Sequence, residues 1–397
     1  MAKKLSKPDA SSTVSPSGST SAAAHEANDF SRLKDVANAI NKKVGRKLVF
    51  TGDEIPQVYK VPFEEPTLDF VSDGGIPLGR FTEFLGAEHS GKTRAALRAM
   101  SRFQKYCFNC NTPGVLDVVW VKNAKFPAVE KCVCHKCGED GETRVSLFVD
   151  VEGTTDRKFM RRLGVDTDGV IYLRPDQPAD AADVIETYLR TLGIGLIVLD
   201  SFGVMGGTKE TNTPIGDINM NQNAVWFNMM FRKFQAAMNA SFNEGGGKDA
   251  VTAIIINQSY VTLSMYSTEV PQGGRGLRHG KGLSLKFKTL EKNKTKEDVV
   301  LGVHVRIENM KNKTGMPYRR GEFYLNLDPT DVNIKYGETN VLQQYVDLGI
   351  QFGVIKQSGA WYDVGNQRVQ GKANLTDALA NDADVLDAIN NELYGNS

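Results

Sequence analysis

Eight consecutive residues, Gly86-Ala87-Glu88-His89-Ser90-Gly91-Lys92-Thr93, fit the pattern G-x-x-x-x-G-K-[ST] without a mismatch. A loop of this kind turns backbone N–H groups toward phosphate oxygens, and a helix beginning at its end adds the positive pole of its dipole. The chemistry is that of a nucleoside triphosphate site. Lys92 would neutralise the β- and γ-phosphates, and the Thr93 hydroxyl would ligate Mg2+. Asp200 ends the apolar run GLIVLDS, where a second acid beside that metal is expected. A separate chemistry lies in the five cysteines, all between Cys107 and Cys137. Cys107-x-x-Cys110 and Cys134-x-x-Cys137 each bring two thiolates to one corner of a tetrahedron, the spacing of a zinc ribbon. Cys132 and His135 are near enough to substitute for one of the four.

These residues need elements to position them. The strand FTEFL leads into the glycine-rich loop and the helical run KTRAALRAMSRF leads out. Short apolar runs at Thr82–Leu85, Leu147–Val151, Val170–Leu173, Leu196–Leu199 and Ala253–Ile256 alternate with helical stretches, which predicts an α/β domain with a mostly parallel sheet. Strands near Val303–Ile307 and Glu322–Leu327, separated by KNKTGMPYRRG, predict an antiparallel extension. The Ser- and Ala-rich residues 1–27 are expected to be a disordered tail. Residues 28–65 hold a helical pattern with Phe30, Leu33, Val36 and Ile40 on one stripe, Gly45 as its stop, and a strand KLVF. Residues 66–338 form the core, interrupted at 107–142 by the cysteine module, and 339–397 form a small C-terminal α/β domain. An excursion as short as 107–142 cannot bury a core of its own, so a metal staple is needed.

Composition narrows the partners. The net charge of +1 excludes a uniformly basic nucleic-acid coat, so any DNA contact would have to come from local loops. No apolar run approaches the roughly 20 residues that cross a bilayer, so no membrane partner is expected. Cysteines gathered in one short stretch predict a reducing, cytoplasmic setting rather than a disulfide scaffold.

Five blocks, LDFVSDGGIPLGRFTEFLGAEHSGKT, IGDINMNQNAVWFNMMFRKF, GLSLKFK, KNKTGMPYRRGEF and VDLGIQFGVIKQSGAWY with QGKAN, resemble successive blocks of the bacterial RecA family in the same order. The likeness runs from about Ala39 to Leu393. It implies a RecA-type P-loop ATPase core with an N-terminal polymerisation arm, here carrying a zinc-ribbon insertion. It also implies a DNA-dependent ATPase that forms a filament on single-stranded DNA and exchanges it with a homologous duplex. By position, Glu152 matches the family's catalytic glutamate and Gln258 its γ-phosphate sensor. Asp156 and Phe159 match its adenine contacts, with phenylalanine where the family has tyrosine. Lys311 and Lys313 match a lysine pair that reaches the neighbouring subunit's ATP.

Two segments resemble the family's DNA loops, about 203–221 and 259–282. Met220 matches a methionine that wedges near a base step, and Arg232 a DNA-contacting arginine, with Asn228 one helical turn before it. In the second loop Arg275, Arg278 and Lys281 supply charge and glycines such as Gly282 allow close approach to phosphates. Val225 stands where the family has an arginine. Two other readings compete. A RadA-type helicase also joins a zinc motif to a RecA core, but that motif precedes the core and the core carries KNRFG. A non-catalytic ATP-holding filament would have no need of Glu152, Gln258 and the two lysines.

Overall fold

The computed structural model describes residues 20–55, 57–138, 141–191, 193–202, 220–244, 250–261, 269–271 and 274–395, with side chains throughout except at 20–30, 178–179, 220–224, 259–261, 269–271 and 274–275. The chain divides into two compact units, Met1–Ile55 and Pro56–Ser397.

Among its described residues, the first unit holds one α-helix, an extended stretch and a single 3-10 turn at Gly52–Glu54. Helix α1 (Thr20–Val44) begins inside the segment expected to be disordered, where Ala22, Ala23 and Ala24 favour helix. It stops at Gly45, whose φ of 72° is left-handed and costs glycine nothing. The KLVF strand is corrected: Leu48–Phe50 join no ladder among the described residues. The Asn41 carboxamide stands in for a neighbouring strand, its Oδ1 accepting from Leu48 N (2.7 Å) and Val49 N (2.9 Å) and its Nδ2 donating to Val49 O (3.0 Å). Leu33, Val36 and Ile40 are exposed.

The second unit opens with a small ribbon, β1 (Lys60–Val61) and β2 (Ile76–Pro77), around α2 (Pro66–Ser72). Then follow β3 (Phe81–Gly86), α3 (Lys92–Phe103), a hairpin of β4 (Leu116–Trp120) and β5 (Val129–Cys134), β6 (Val145–Asp150), α4 (Arg157–Arg162), β7 (Val170–Leu173), α5 (Pro178–Leu189) and β8 (Ile194–Asp200). After α6 (Met220–Glu244) come β9 (Thr252–Asn257), a short hairpin of β10 (Ser259–Val261) and β11 (Glu269–Pro271), α7 (Gly274–Gly280), β12 (Leu283–Lys294), β13 (Val300–Asn312) and β14 (Arg320–Asn326). The chain closes with α8 (Val341–Phe352), a sheet of β15 (Lys356–Ser358), β16 (Trp361–Val364) and β17 (Gln367–Gln370), then α9 (Lys372–Ala380) and α10 (Ala383–Tyr394).

The central sheet has the order β14-β13-β12-β3-β9-β8-β6-β7. β12, β3, β9, β8, β6 and β7 are parallel, and β13 and β14 extend them antiparallel, as the sequence indicates. Both faces of the parallel part are covered, which is why its strands read as unbroken apolar runs. Phe84, Phe148, Val198 and Ile256 face a core shared with Leu97, Met100 and Phe103 of α3. Leu147, Val149, Ile197, Leu199 and Ile255 face a second core shared with Ile185 of α5 and Phe231 and Phe234 of α6. The last elements enclose a separate cluster that includes Val346, Ile355, Leu375 and Ile389. No helix among the described residues is long and apolar enough to cross a membrane.

The hairpin β4–β5 carries the cysteine module, and its alternation turns Leu116 and Trp120 inward. Trp120 anchors it: a Cβ at Gly169, beside β7, would fall 2.4 Å from the indole ring, so only glycine lets the ring lie there.

Candidate active site

Parallel strands end at one edge, and four of them deliver the predicted nucleotide residues there. The loop after β3 is fixed by two glycines. A Cβ at Gly86 would meet the Phe287 carbonyl oxygen at 2.2 Å, and Gly91 (φ 91°) N-caps α3 in a left-handed conformation. Ala87, Glu88 and His89 are exposed, and Ser90 Oγ donates to Ala87 O (2.7 Å). Lys92 Nζ donates to Gly86 O (2.9 Å) and Ala87 O (2.6 Å), so the ammonium folds back over the loop. Burial lowers its pKa, while the carboxylates of Asp200, Glu152 and Glu88 act in the opposite direction.

From the tip of β8, Asp200 Oδ2 accepts from Thr93 Oγ1 at 2.7 Å. Burial pushes the Asp200 carboxyl up to about 6; the charges of Glu152 and Asp150 add to that, and Thr93 and Lys92 oppose it. A hydroxyl and a crowded carboxylate are hard oxygen donors, a set that suits Mg2+. Glu152 lies just past β6, exposed, and Gln258 Nε2 from the end of β9 donates to its Oε1 at 3.4 Å. Asp156 is the exposed N-cap of α4 without a side-chain cap bond, and Phe159 on that helix packs partly buried against the main core.

Sequence reasoning missed Asp150. It is fully buried, and its carboxylate accepts from Gly153 N (2.6 Å), Thr155 N (2.9 Å) and Tyr172 Oη (2.6 Å). It thereby fixes the turn that presents Glu152. An acid two residues before the catalytic candidate, followed by Gly-Thr-Thr, was the available signal.

The DNA-loop residues divide. Residues 203–219, 262–268 and 272–273 lie outside the described residues, as do the side chains of Met220 and Arg275. Arg232 is exposed on α6, its Nε donating to Asn228 O (3.2 Å), so the two share a face; Arg278 is exposed on α7. Three residues expected at DNA are engaged in the fold. Asn228 Oδ1 accepts from Gly276 N (2.8 Å), fastening α7 to α6. Gly282 is buried, its N–H donating to Phe81 O (2.8 Å). Lys281 is 7% exposed and ion-paired with fully buried Glu83, so its ammonium does not reach the surface. Lys311 Nζ donates to the carbonyls of Arg278 (2.8 Å) and His279 (3.1 Å), and Lys313 Nζ to that of His279 (2.9 Å). Both lysines therefore cap the C-terminal end of α7, the favourable pole for cations.

The four predicted thiols meet. The sulfurs of Cys107, Cys110, Cys134 and Cys137 all lie within 4.8 Å of one another, with Cys107–Cys137 at 3.9 Å and Cys110–Cys134 at 3.7 Å. Tetrahedral zinc with Zn–S of about 2.3 Å requires S–S separations of about 3.8 Å, so the set fits. Lys136 N (3.3 Å) and Cys137 N (3.2 Å) donate to Cys134 Sγ. Burial raises that thiol, and these bonds, with those from the Cys137 and Cys107 side chains, outweigh it and hold its pKa at about 7. The bonds to Cys110, Cys134 and Cys107 push Cys137 up to about 12, so the proton rests on Cys137. Cys132 and His135 are outside the cluster; His135 Nε2 lies 3.0 Å from Asp117 Oδ2. Apart from the cysteines, the cluster buries only Leu116, too little apolar area to stand without a staple.

Residues 130–329 match the family description "RecA N-terminal domain" and residues 344–396 "RecA C-terminal domain". Protein RecA of Cutibacterium acnes is 27% identical over 345 residues, 86% of this chain and 84% of that protein. Protein RecA of Corynebacterium aurimucosum is 27% identical over 94% of this chain and 87% of its own length. Protein RecA of Nocardia farcinica is 28% identical over 93% of each.

Proposed function

The chain belongs to the RecA family, and from that premise we propose an ATP-dependent recombinase that coats single-stranded DNA as a helical filament and pairs it with a homologous duplex. One observation carries the reading: Lys92 and Thr93 after β3, Glu152 after β6, Asp200 ending β8 and Gln258 after β9 converge on a single sheet edge. Backbone N–H groups of residues 86–93 and the start of α3 bind the phosphates, and Lys92 leaves its loop carbonyls to neutralise them. Thr93 and Asp200 would hold Mg2+, whose charge would then stabilise the phosphate oxygens. Glu152 orients the attacking water and accepts its proton as the bond to the γ-phosphorus forms and the bond to the leaving oxygen breaks. Asp156 and Phe159 border the base, and Phe159 offers a π-face for stacking.

Gln258 can donate to the γ-phosphate and accept from water, so loss of phosphate changes its partners and the conformation of the loop that follows it. Lys311 and Lys313 of one subunit supply charge to the ATP of the next, which makes hydrolysis depend on assembly. The exposed stripe of Leu33, Val36 and Ile40 on α1 supports an arm that docks on a neighbouring subunit. Arg232, Arg275 and Arg278 bring charge to the DNA phosphates, with Met220 at a base step. The four thiolates would hold a structural Zn2+, which would close the inserted hairpin. The test is ATP-driven strand exchange between a circular single strand and a homologous linear duplex.

A further inference from the structure

We propose that Lys281 is a positioning residue that couples the far end of the second DNA loop to the sensor at its start, through the buried carboxylate of Glu83. The inference rests on the recombinase reading, in which Gln258 senses ATP. Glu83 lies inside β3, flanked in register by Ile255 of β9 and Ser284 of β12. Its Oε2 takes Lys281 Nζ and Ser284 Oγ (2.7 Å), and its Oε1 takes Asn257 Nδ2 (2.9 Å). Asn257 Oδ1 accepts from Gln258 N (3.0 Å), and Gln258 Nε2 reaches Glu152 Oε1 (3.4 Å). An unbroken polar line therefore runs from the end of α7 to the Glu152 carboxylate.

The line joins both ends of one loop. Gln258 precedes it, Lys281 lies at its far end, and Glu83 sits between them on the strand that leads into the phosphate loop. Lys311 and Lys313 hold the same end of α7 through the carbonyls of Arg278 and His279. A shift of α7 on DNA binding thus acts on Lys281 and the two lysines together. Stability alone does not explain the pair. A buried ion pair is commonly no better than apolar residues of equal volume, whereas losing one partner strands a charge. Coupling gives Lys281 a role that an apolar residue would not fill.

The full-length protein tests this in three variants, read by the DNA and ATP dependence of hydrolysis. K281M is expected to raise the single-stranded DNA concentration for half-maximal stimulation by about tenfold, within the range of coupling between two sites. Without DNA, equilibrium ATP binding should stay within about twofold of native, whereas at saturating DNA it should weaken by about the same tenfold, since coupling between two sites is reciprocal. E83Q/K281M removes both charges while retaining amide bonds to Ser284 and Asn257. Melting like the native protein, it should still show the DNA shift, and K281R should recover the native response. An E83Q/K281M protein that responds to DNA as the native chain does would overturn the proposal. Native protein whose hydrolysis ignores DNA would instead overturn the recombinase reading, and this inference with it.

Discussion

Gln258 Nε2 donates to Glu152 Oε1 at 3.4 Å, which places the first residue after β9 in contact with the carboxylate after β6. In the proposed mechanism this contact is where DNA-loop state and water activation meet. E152Q keeps the size and a hydrogen-bonding amide but loses the base. Its turnover should fall by roughly 10²- to 10⁴-fold, the usual worth of general-base catalysis. Equilibrium binding of a fluorescent ATP analogue should be unchanged; weakened binding of the same size would show that Glu152 holds nucleotide rather than water.

Lys311 and Lys313 cap α7 within their own subunit, and assembly is expected to redirect them to the adjacent ATP. The K311A/K313A protein should bind ATP and lose DNA-stimulated hydrolysis. Mixing it with E152Q creates interfaces where the E152Q subunit's lysines face ATP beside an intact Glu152. Turnover should reappear on mixing, in a steady-state assay where each variant alone is inactive. Silent mixtures would place the lysines' action inside one subunit.

The thiol cluster predicts a zinc content that follows four cysteines and spares the fifth. Elemental analysis of freshly purified protein should find zinc stoichiometric with chain, lost in C110S and retained in C132S, because Cys132 lies outside the cluster. Strong chelation should lower the melting temperature, since metal binding is part of the hairpin's folding energy.

Asp69 gives a pH dependence of known sign. It is fully buried, accepts from Phe63 N (2.7 Å) and Tyr394 Oη (2.8 Å), and joins α2 to the C-terminal helix. Burial raises its pKa to about 7 from an ordinary 3.8, partly offset by those bonds. The folded state thus holds a proton that the unfolded chain releases. This contribution is complete below the unfolded value and is lost as pH rises through the folded one, a few kcal/mol at roughly 1.4 kcal/mol per unit of pKa difference. Thermal melts should show stability falling from about pH 4 to pH 7, less steeply in D69N. Parallel slopes for the two proteins would contradict the assignment.

The sheet was legible because strands buried on both faces leave continuous apolar runs, as in LIVLD and AIII. β12 was not among the expected strands: beyond Phe287 it runs on through exposed, mostly polar residues, held by pairing with β13. Residues 86–93 and Asp200 stood out by motif and strand-end position, whereas Glu152, Gln258, Asp156 and Phe159 were named only through the family resemblance. The intramolecular partners of Lys281, Asn228 and Gly282 were not legible, because a residue's type does not reveal its direction. Lys281 sits in a basic glycine-rich loop, yet its partner Glu83 is 198 positions away in sequence. Asp150 escaped notice for the same reason, since its role depends on a turn and on Tyr172 across the sheet edge.

The central claim is homologous pairing, and a strand-exchange assay addresses it directly. The protein is incubated with ATP and Mg2+, a circular single strand and a linear duplex without a free tail. Joint molecules that form only with matching sequence and only with ATP are the predicted result. Strand separation that proceeds equally with unrelated duplex would contradict the account and favour a helicase.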